Sequence, residues 1–458
     1  MSQNSVADKL AQFAAGLTYD KIPSAISQRA KHLILDAIGI AYASGKFDFA
    51  RCALAGVEHL GQGSSDVFGL GRQLPLRDAI MVNGVLVHGL DYDDTYLPGS
   101  MHISASSVPT ALGVAAHLGA GGKDMLTACV IGLEIGARLA RAGGGSFQRA
   151  GFHPTGVCGA FSSTLASARL LGLTAPQMAM AQGIALSMAG GTMEPMQDGS
   201  WTKRMHPGLA GAAGVTAASL AKAGYIGPGA PYEGRFGFYN VHLGQYAADA
   251  DLASITAGLG EDWQFARTSI KLYPACHHIH AFLNATLALA REHAIKPEAV
   301  ESVQTIVEKA AIPLICEPAA AKARPTSSYI AQFSLQYAIA CCLTRGRFGL
   351  AELEPDAYTD PGLTALAGKV QYAVDTDSGY PKFRTGDVAI QLKDGRKLHR
   401  REKILPDEPA ADADIVAKFM NNAMTVMPEP RAAEVREMLL KIEHEPDIRR
   451  VTNSLRER

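Results

Sequence analysis

The sequence lacks the features that mark several large classes of protein. No apolar stretch is long enough to cross a membrane, because Gly and Pro interrupt each one. The 43 Lys and Arg residues balance the 44 Asp and Glu residues, so net charge favours neither nucleic acid nor an anionic membrane as a partner. The first residues, MSQNSVADKLAQF, lack the basic and apolar regions of a secretory signal. We therefore expect no nucleic-acid partner and no membrane partner.

Common nucleotide- and metal-binding motifs are missing as well. The chain has no GxxxxGKS or GxxxxGKT, no GxGxxG after a predicted strand, no GxSxG, and no CxxC or HExxH. These absences argue against a P-loop nucleotidase, an NAD or FAD enzyme and a structural zinc site. The seven cysteines follow no regular spacing, and their odd number indicates reduced thiols in a cytoplasmic protein.

What the sequence does contain is a strong helical pattern. Its 458 residues are 47% hydrophobic, which is enough for a large core in two or three folding units. Apolar residues recur every three or four positions in residues 24–45, which predicts one buried helix face. The same spacing, with many Ala, Gly and Ser residues, predicts closely packed helices at 77–90, 105–120, 124–142, 156–171, 175–189 and 208–224.

The pattern changes near residue 265. Alternating β-branched stretches predict strands, including a hairpin with an Asp-Gly turn, at 300–312, 369–377 and 387–403. A buried helix is predicted at 326–345, and amphipathic helices return after Asp412. We therefore predict a mainly α fold, with a large all-helical domain built from both chain ends and an inserted, smaller α+β domain. The predicted boundaries are 1–266 and 409–458 for the helical domain and 267–408 for the inserted domain.

One segment, HGLDYDDTYLPGSMH (88–102), is rich in acidic residues. Asp91, Asp93 and Asp94 fall within four residues of one another, after one predicted helix and before the next. Repulsion between such carboxylates raises their pKa values, which suits proton transfer. Because Asp and Thr are common helix starters, a capped and solvated turn is the alternative. The other polar residues of the segment are His88, Thr95 and His102.

Polar residues also stand out in four later segments. They are His153 at a Gly-rich helix start, Lys203, Arg204 and His206 in a loop, Lys271, Cys276, His277, His278 and His280 at the domain boundary, and Ser334 and Tyr337 on one helix face. Cations beside a cleft would suit a carboxylate substrate, and helix starts favour anions. The alternatives are solvated cations, a polar hinge and a tyrosine whose hydroxyl has a protein partner. The Cys and His residues lie too close in sequence for most tetrahedral zinc sites, so we expect no metal.

Taken together, several segments resemble the MmgE/PrpD family, which includes 2-methylcitrate dehydratases, cis-aconitate decarboxylase and iminodisuccinate epimerase. The resemblance runs nearly end to end and rests on LAQFAAGL, AKHLILDAIGIAYASG, HGLDYDDTY, GFHPTGVCGAF, TKRMHPG, KLYPACHHIH and AQFSLQYAIA. It implies a large helical domain with a smaller α+β lid, a homodimer, and activity without a metal or an organic cofactor. It also implies that the substrate is a small-molecule carboxylate.

The same resemblance implies which residues form the site. The positions that match the family's motifs are Asp91, Thr95, His102, Lys203, Lys271 and Tyr337. The family's reactions begin beside a carboxylate, so Lys203 and Lys271 would neutralise the developing enediolate. His102 is the expected base, because an unperturbed imidazole pKa of about 6.5 lies near working pH, and Asp91 would orient it or act as a second acid. The residues expected to contact substrate oxygens or carboxylates are Thr95, Tyr337, His153 and His206.

We therefore expect a dehydratase-type lyase that acts on a small di- or tricarboxylate. The alternative is an epimerase or racemase of an α-substituted dicarboxylate, with Cys276 as a second acid/base group opposite His102. A cis-aconitate decarboxylase fits less well, because the family's decarboxylase has His in place of Cys276 and one residue fewer between Thr95 and His102. Outside this chemistry, the acidic segment would also suit magnesium-dependent prenyl-diphosphate reactions, but no second acidic motif accompanies it. A non-catalytic binding protein is the remaining alternative.

Overall fold

The computed structural model describes residues 5–380, 382–405 and 410–456. The chain divides into two compact units. Unit 1 consists of Met1–Ile270 and Pro409–Arg458, and unit 2 consists of Lys271–Glu408. The prediction of a mainly α fold is confirmed, because helices hold most of the described residues and the sheets are small.

Unit 1 begins with a long series of helices. Ser5 caps the first of them, since its hydroxyl accepts a hydrogen bond from the Asp8 backbone N–H at 3.1 Å and the Asp8 carboxylate accepts one from the Ser5 backbone N–H at 3.2 Å. The helices are α1 Val6–Gly16, α2 Ser24–Ser44, α3 Asp48–Glu58, α4 Leu76–His88, α5 Ser104–Leu118, α6 Gly122–Gly143, α7 Ser146–Arg149, α8 Pro154–Leu170, α9 Ala175–Ala185, α10 Pro195–Asp198, α11 Thr202–Lys222, α12 Phe238–Leu243 and α13 Ala253–Thr256. A small antiparallel pair, β1 Ser65–Val67 and β2 Arg72–Leu74, connects α3 to α4.

Helices α4 and α11 cross at two glycines. A Cβ atom on Gly84 would lie 2.5 Å from the Cα of Gly208, and a Cβ atom on Gly208 would lie 2.1 Å from the carbonyl oxygen of Met81. Because both glycines are α-helical, they are required by the close approach of the two backbones and not by a left-handed conformation. The small residues in the sequence therefore let these helices pack almost backbone to backbone. This crossing brings the last turn of α4 next to the first turns of α11.

Unit 2 combines a sheet with short helices. Its helices are α14 His280–Glu292, α15 Ile312–Ile315, α16 Ala319–Ala323, α17 Ser328–Gln332, α18 Leu335–Arg345, α19 Pro355–Tyr358 and α20 Pro361–Ala367. Its strands are β3 Val300–Glu308, β4 Val370–Asp375, β5 Arg384–Leu392 and β6 Lys397–Ile404. They form one four-stranded sheet in the order β4-β3-β5-β6, in which only the β3–β4 pair is parallel. Helix α14 packs on β5 and β6.

The strands of unit 2 lie where the sequence predicted them, but one helix does not. The β5–β6 hairpin turns at Asp394-Gly395, and Gly395 adopts a φ of +92° that favours glycine. The single helix predicted at 326–345 is wrong, because the chain breaks between α17 and α18. Ser334 causes the break as the N-cap of α18, its hydroxyl accepting from the Tyr337 backbone N–H at 3.0 Å. Ser334 therefore does not share a helix face with Tyr337.

The C-terminal segment returns to unit 1 as three helices. They are α21 Asp412–Ala423, α22 Glu429–Leu440 and α23 Ile448–Arg456. Helix α21 packs on α2, where the Lys418 Nζ lies 2.5 Å from a carboxylate oxygen of the buried Asp36. The same ammonium donates to the Tyr92 carbonyl oxygen at 2.8 Å. The last helices thus hold the segment that follows α4.

Two further sequence expectations concern membranes and thiols. Within the described ranges, each helix is too short or too polar to span a lipid bilayer. All seven cysteines are free thiols, and only Cys52 is exposed. The reduced state expected from the irregular cysteine spacing therefore agrees with the fold.

The helix crossing yields a prediction about stability. Replacing Gly84 with Ala should destabilise the protein by about 1–3 kcal/mol, because the added methyl group must push the two backbones apart. The matched control is Gly56→Ala in α3, where no atom lies within 4 Å of the new Cβ. That change should stabilise the helix by about 0.5–1 kcal/mol. Urea denaturation of both variants measures the difference, and equal stability of the two would contradict the close packing.

Candidate active site

The acidic segment forms a tight, buried loop between α4 and α5. It begins with a turn in which the Asp91 backbone N–H donates to the His88 carbonyl at 3.1 Å. Asp91 has a φ of +48°, a left-handed conformation that Asp tolerates better than most residues. At the far end, Thr95 and Ser269 exchange backbone hydrogen bonds of 2.8 and 2.9 Å. The loop is therefore not the solvated turn that the sequence also allowed, since its three carboxylates are buried.

Asp94 ties this loop to the next helix. Its carboxylate accepts hydrogen bonds from the backbone N–H groups of Ile103 at 3.0 Å and Ser104 at 3.2 Å, at the start of α5. Burial raises the pKa of Asp94 well above its usual range, and the neighbouring carboxylates of Asp93 and Asp36 raise it further. Asp94 therefore caps the start of α5 and fixes the short segment before it, which contains His102.

The tautomer of His102 is set by its hydrogen-bond partners. Its Nδ1 lies 2.7 Å from the Asp94 carbonyl oxygen. A carbonyl can only accept, so Nδ1 carries a hydrogen, and in the neutral ring the lone pair is on Nε2. The ring position is fixed further by the His102 backbone N–H, which donates to the Thr155 hydroxyl at 3.1 Å. The basic nitrogen Nε2 lies 3.9 Å from Oδ1 of Asp91.

Lys203 approaches the same carboxylate from α11. Its Nζ donates to Oδ1 of Asp91 at 3.1 Å, and both side chains are nearly buried. The sequence placed the TKRMHPG segment in a loop, which is wrong, because α11 begins at Thr202. Pro207 lacks a backbone N–H and normally ends a helix, but here it lies near the N-terminus and is held by the crossing with α4. Lys203, Arg204 and His206 therefore project from the first two turns of a rigid helix.

A group of imidazoles surrounds His102. The His88 ring lies 4.7 Å from the His102 ring and 5.5 Å from the His153 ring, between centroids. The Nδ1 of His88 is 2.7 Å from Oδ2 of Asp93, and both residues are buried. Asp93 also lies 3.5 Å from the His102 Nδ1 through its other oxygen, so one carboxylate connects the two rings. The His88 Nε2 is buried and has no hydrogen-bond partner among the described residues.

His153 and His206 form a second pair. Their Nδ1 atoms are 3.0 Å apart, so one ring donates its hydrogen and the other accepts it. Burial lowers the pKa of His153 well below its usual range, and the charge of Lys203 lowers it further. Burial, together with His88 and Lys203, lowers the pKa of His206 to about 4. Both imidazoles are therefore neutral near pH 7.

The sequence placed His88 and Asp93 in the acidic segment but gave them no role. The structure puts both beside His102, as a hydrogen-bonded pair at the end of α4. The sequence did carry one signal. His88 precedes Asp93 by five residues at the end of a predicted helix, where the chain can turn back and bring the two side chains together. The pattern alone could not show that the two side chains would be buried together.

Atoms of this cluster could also hold a metal ion. His88, His102 and His153 each offer a ring nitrogen within 4.8 Å of the others, and a second group combines His88 and His102 with Asp91 and Asp93. The donor set of imidazoles and carboxylates would suit zinc. The adjacent ammonium of Lys203, however, favours an anion at this place over another cation. The arrangement of a fixed base, a cation and neutral imidazoles suits proton removal from an anionic molecule.

Thr95 stands at the edge of this cluster with a free hydroxyl. Its Oγ1 is buried and has no hydrogen-bond partner among the described residues. Its backbone is fixed by Ser269, so the hydroxyl is held in place for an additional acceptor or donor. Unit 1 thus brings together or closely links six predicted site residues, namely Asp91, Thr95, His102, His153, Lys203 and His206.

The other predicted residues belong to unit 2. Lys271 and Cys276 are both buried, and the Cys276 backbone N–H donates to the Gln332 carbonyl at 2.9 Å. The thiol of Cys276 lies close enough to Lys322 and Arg384 to act on the pKa of each. Cys276 therefore lies near two basic side chains of unit 2.

Tyr337 has a well-defined protein partner. Its hydroxyl donates to the Glu352 carbonyl oxygen at 2.7 Å, and the side chain is fully buried. Burial raises the pKa of the phenol above its usual range. This contact matches the alternative of a buried tyrosine with a partnered hydroxyl, and a contact between Tyr337 and substrate stays a prediction.

Comparison with known proteins finds matches over most of the chain. The model of the MmgE/PrpD N-terminal domain matches residues 8–250, and the model of the MmgE/PrpD C-terminal domain matches residues 273–444. A cis-aconitate decarboxylase of Aspergillus terreus (strain NIH 2624 / FGSC A1156) is 28% identical, over 98% of this chain and 95% of that protein. The cis-aconitate decarboxylases of Mus musculus and Homo sapiens are 27% and 26% identical, each over 93% of this chain and over 88% and 89% of their own lengths.

The neutral histidine pair predicts how stability depends on pH. The pKa of His206 falls from 6.5 to about 4 on folding. The folded protein therefore binds fewer protons than the unfolded chain in that interval, and stability falls as the pH drops through it. The contribution is about 3 kcal/mol. We expect His206→Gln to lose less stability than the wild type between pH 6.5 and pH 4, measured by urea denaturation.

The buried carboxylate of Asp36 has the opposite effect on the pH dependence of stability. The pKa of Asp36 is raised to about 6, so its contribution grows as the pH falls. Because Asp36 is present in both proteins, its effect cancels when the two pH profiles are subtracted. Parallel profiles for the wild type and His206→Gln would contradict the neutral pair.

Proposed function

The chain belongs to the MmgE/PrpD family, and from this premise we propose that it removes a proton next to a carboxylate of a small di- or tricarboxylate, as a dehydratase-type lyase. Its relatives named as cis-aconitate decarboxylases are lyases, and the alignment with them covers nearly the whole chain. The chain is therefore an enzyme of the lyase type.

The observation that carries the proposal is the position of His102. Its Nδ1 donates to the Asp94 carbonyl oxygen, so in the neutral ring the lone pair is on Nε2, 3.9 Å from an oxygen of Asp91, and Nε2 is the proposed base. A C–H group next to a carboxylate is a very weak acid. The base must therefore act together with a cation that neutralises the enediolate. Lys203 supplies that cation in unit 1, through an ammonium held 3.1 Å from Asp91.

Asp91 connects the base to the cation. One oxygen of its carboxylate lies 3.1 Å from the Lys203 Nζ and 3.9 Å from the His102 Nε2. Once His102 has taken the proton, this negative charge stabilises the imidazolium. In a dehydration, the C–H electron pair forms the C=C bond, the C–O bond breaks, and the proton on His102 leaves with the hydroxyl group as water. The Thr95 hydroxyl is proposed to hold a substrate oxygen.

Unit 2 adds residues on the strength of the resemblance. Lys271 is proposed as a second cation for the enediolate, and Cys276 as an acid/base group only in the epimerase alternative. The metal-free chemistry and the homodimer that the resemblance implies stay predictions.

Two other reactions share this first step. Decarboxylation is favoured by the names of the relatives, and epimerisation is favoured by Cys276, whose thiol lies beside two cations. All three begin by stabilising charge next to a carboxylate, so the same unit 1 residues serve each. They differ in which bond breaks next, and the products therefore distinguish them.

An assay of the products tests the proposal. EDTA-treated protein is incubated in D₂O with 2-methylcitrate, citrate, cis-aconitate and related hydroxy-diacids. We expect an unsaturated acid and water from at least one hydroxy-acid, because the base and the cation are protein side chains. Release of CO₂ would assign decarboxylation instead, and deuterium at the α-carbon without a new product would assign epimerisation. If the protein is inactive on the whole panel and added zinc restores activity, the metal-free mechanism is wrong.

Variants of the base and the cation test the roles given to them. Lys203→Met should lower kcat about 10²–10³-fold, as the loss of one charge-stabilising donor does elsewhere. His102→Gln should lower kcat about 10²–10⁴-fold, the usual contribution of a general base. The control is Lys222→Met, an exposed lysine at the end of the same helix, which should retain wild-type kcat. Activity of Lys203→Met within twofold of the wild type would rule out its role.

A further inference from the structure

Asp93 carries a buried carboxylate that lies between two imidazoles. Its side chain is fully shielded from solvent. Its Oδ2 is 2.7 Å from the His88 Nδ1, and its Oδ1 is 3.5 Å from the His102 Nδ1. Because the carboxylate is removed from bulk solvent, its charge acts more strongly over such distances than a surface charge does. Asp93 is therefore placed to stabilise a positive charge on His102.

Protonation of His102 creates such a charge on the ring. Its Nδ1 donates to the Asp94 carbonyl oxygen, so a proton taken up at Nε2 gives an imidazolium with a hydrogen on both nitrogens. The positive charge of an imidazolium is shared between its two nitrogens, so a carboxylate 3.5 Å from Nδ1 stabilises it. Asp93 therefore favours proton uptake at Nε2 from the opposite side of the ring.

The neighbouring charged groups supply less of this stabilisation. Asp91 lies 3.9 Å from the His102 Nε2, but the same oxygen is already paired with the Lys203 Nζ at 3.1 Å. The Lys203 ammonium itself opposes a positive charge on His102. The titratable side chains of this cluster are Asp91, Asp93 and Asp94 from the loop, His88 from α4, His153 from the start of α8, and Lys203 and His206 from α11.

His88 holds Asp93 from the end of α4. It is the last residue of that helix and is 1% exposed, and its Nδ1–H donates to Asp93. Its Nε2 is shielded from solvent and has no hydrogen-bond partner among the described residues. A protonated ring would therefore bury a charged N–H group without an acceptor, so a neutral His88 fits this position. A neutral His88 fixes the carboxylate of Asp93 but does not cancel its charge.

We propose that Asp93 is the buried counter-charge of protonated His102 and that His88 is a positioning residue that holds Asp93 in place. The inference rests on the proposed function in taking His102 as the base. It adds a charge on the Nδ1 side of the ring, whereas Asp91 lies on the Nε2 side. The imidazolium therefore lies between two carboxylates, and the one beside Nδ1 is not paired with Lys203.

The pKa of His102 tests this arrangement without any substrate. It is measured by NMR on EDTA-treated protein with ¹³C at the histidine Cε1, and the signal is assigned from its absence in His102→Gln. We expect Asp93→Asn to lower this pKa by about 1–3 pH units, because the amide keeps the shape of the carboxylate but carries no charge. The matched control is Asp124→Asn, at an exposed aspartate in the first turn of α6, which should leave the pKa unchanged.

Variants of His88 test its positioning role. His88→Leu removes the donor, and a buried carboxylate that loses a hydrogen bond to its charged form takes up a proton more easily. The charge of Asp93 is then lost, so the pKa of His102 should fall as it does in Asp93→Asn. His88→Asn keeps an N–H group near the position of Nδ1 and should retain most of the wild-type pKa. In the Asp93→Asn background, His88→Leu should have no further effect.

The outcomes separate this inference from the proposed function. An unchanged His102 pKa in Asp93→Asn would overturn it even if the wild type is active in the product assay, and a lowered pKa would support it even if no substrate reacts there. If His88→Leu also lowers the pKa in the Asp93→Asn background, His88 acts directly on His102 and its positioning role is wrong. If Asp93→Asn does not fold, as judged by circular dichroism, His88→Leu carries the test, and a wild-type pKa in that variant would overturn the inference.

Discussion

The site in unit 1 depends on the buried carboxylate of Asp94. By accepting hydrogen bonds from the backbone N–H groups of Ile103 and Ser104, it joins the acidic loop to the start of α5. Its own carbonyl oxygen accepts from the Nδ1 of His102, the proposed base. One residue thus contributes to both the position and the tautomer of His102.

Burial controls the charges around this base. It keeps His153 and His206 neutral, so they can donate or accept hydrogen bonds without repelling Lys203. It also requires partners for the charged groups, and Asp36 receives one from Lys418 of the C-terminal segment. That segment therefore contributes to the site although it carries none of the proposed catalytic residues. Its role is to hold the loop through the Tyr92 carbonyl.

The sequence by itself predicted most of the long helices, the strands of unit 2 and several polar residues of the unit 1 cluster, because apolar spacing and turn residues act locally and the family's motifs mark polar positions. It placed Lys203 in a loop and continued one helix through Ser334, since the effects of a tight helix crossing and of a side-chain cap are not visible in local spacing. Only the tertiary structure decided that Asp94 caps α5 and that His88 pairs with Asp93. These facts depend on which side chains are removed from water together, and that is a property of the packed chain.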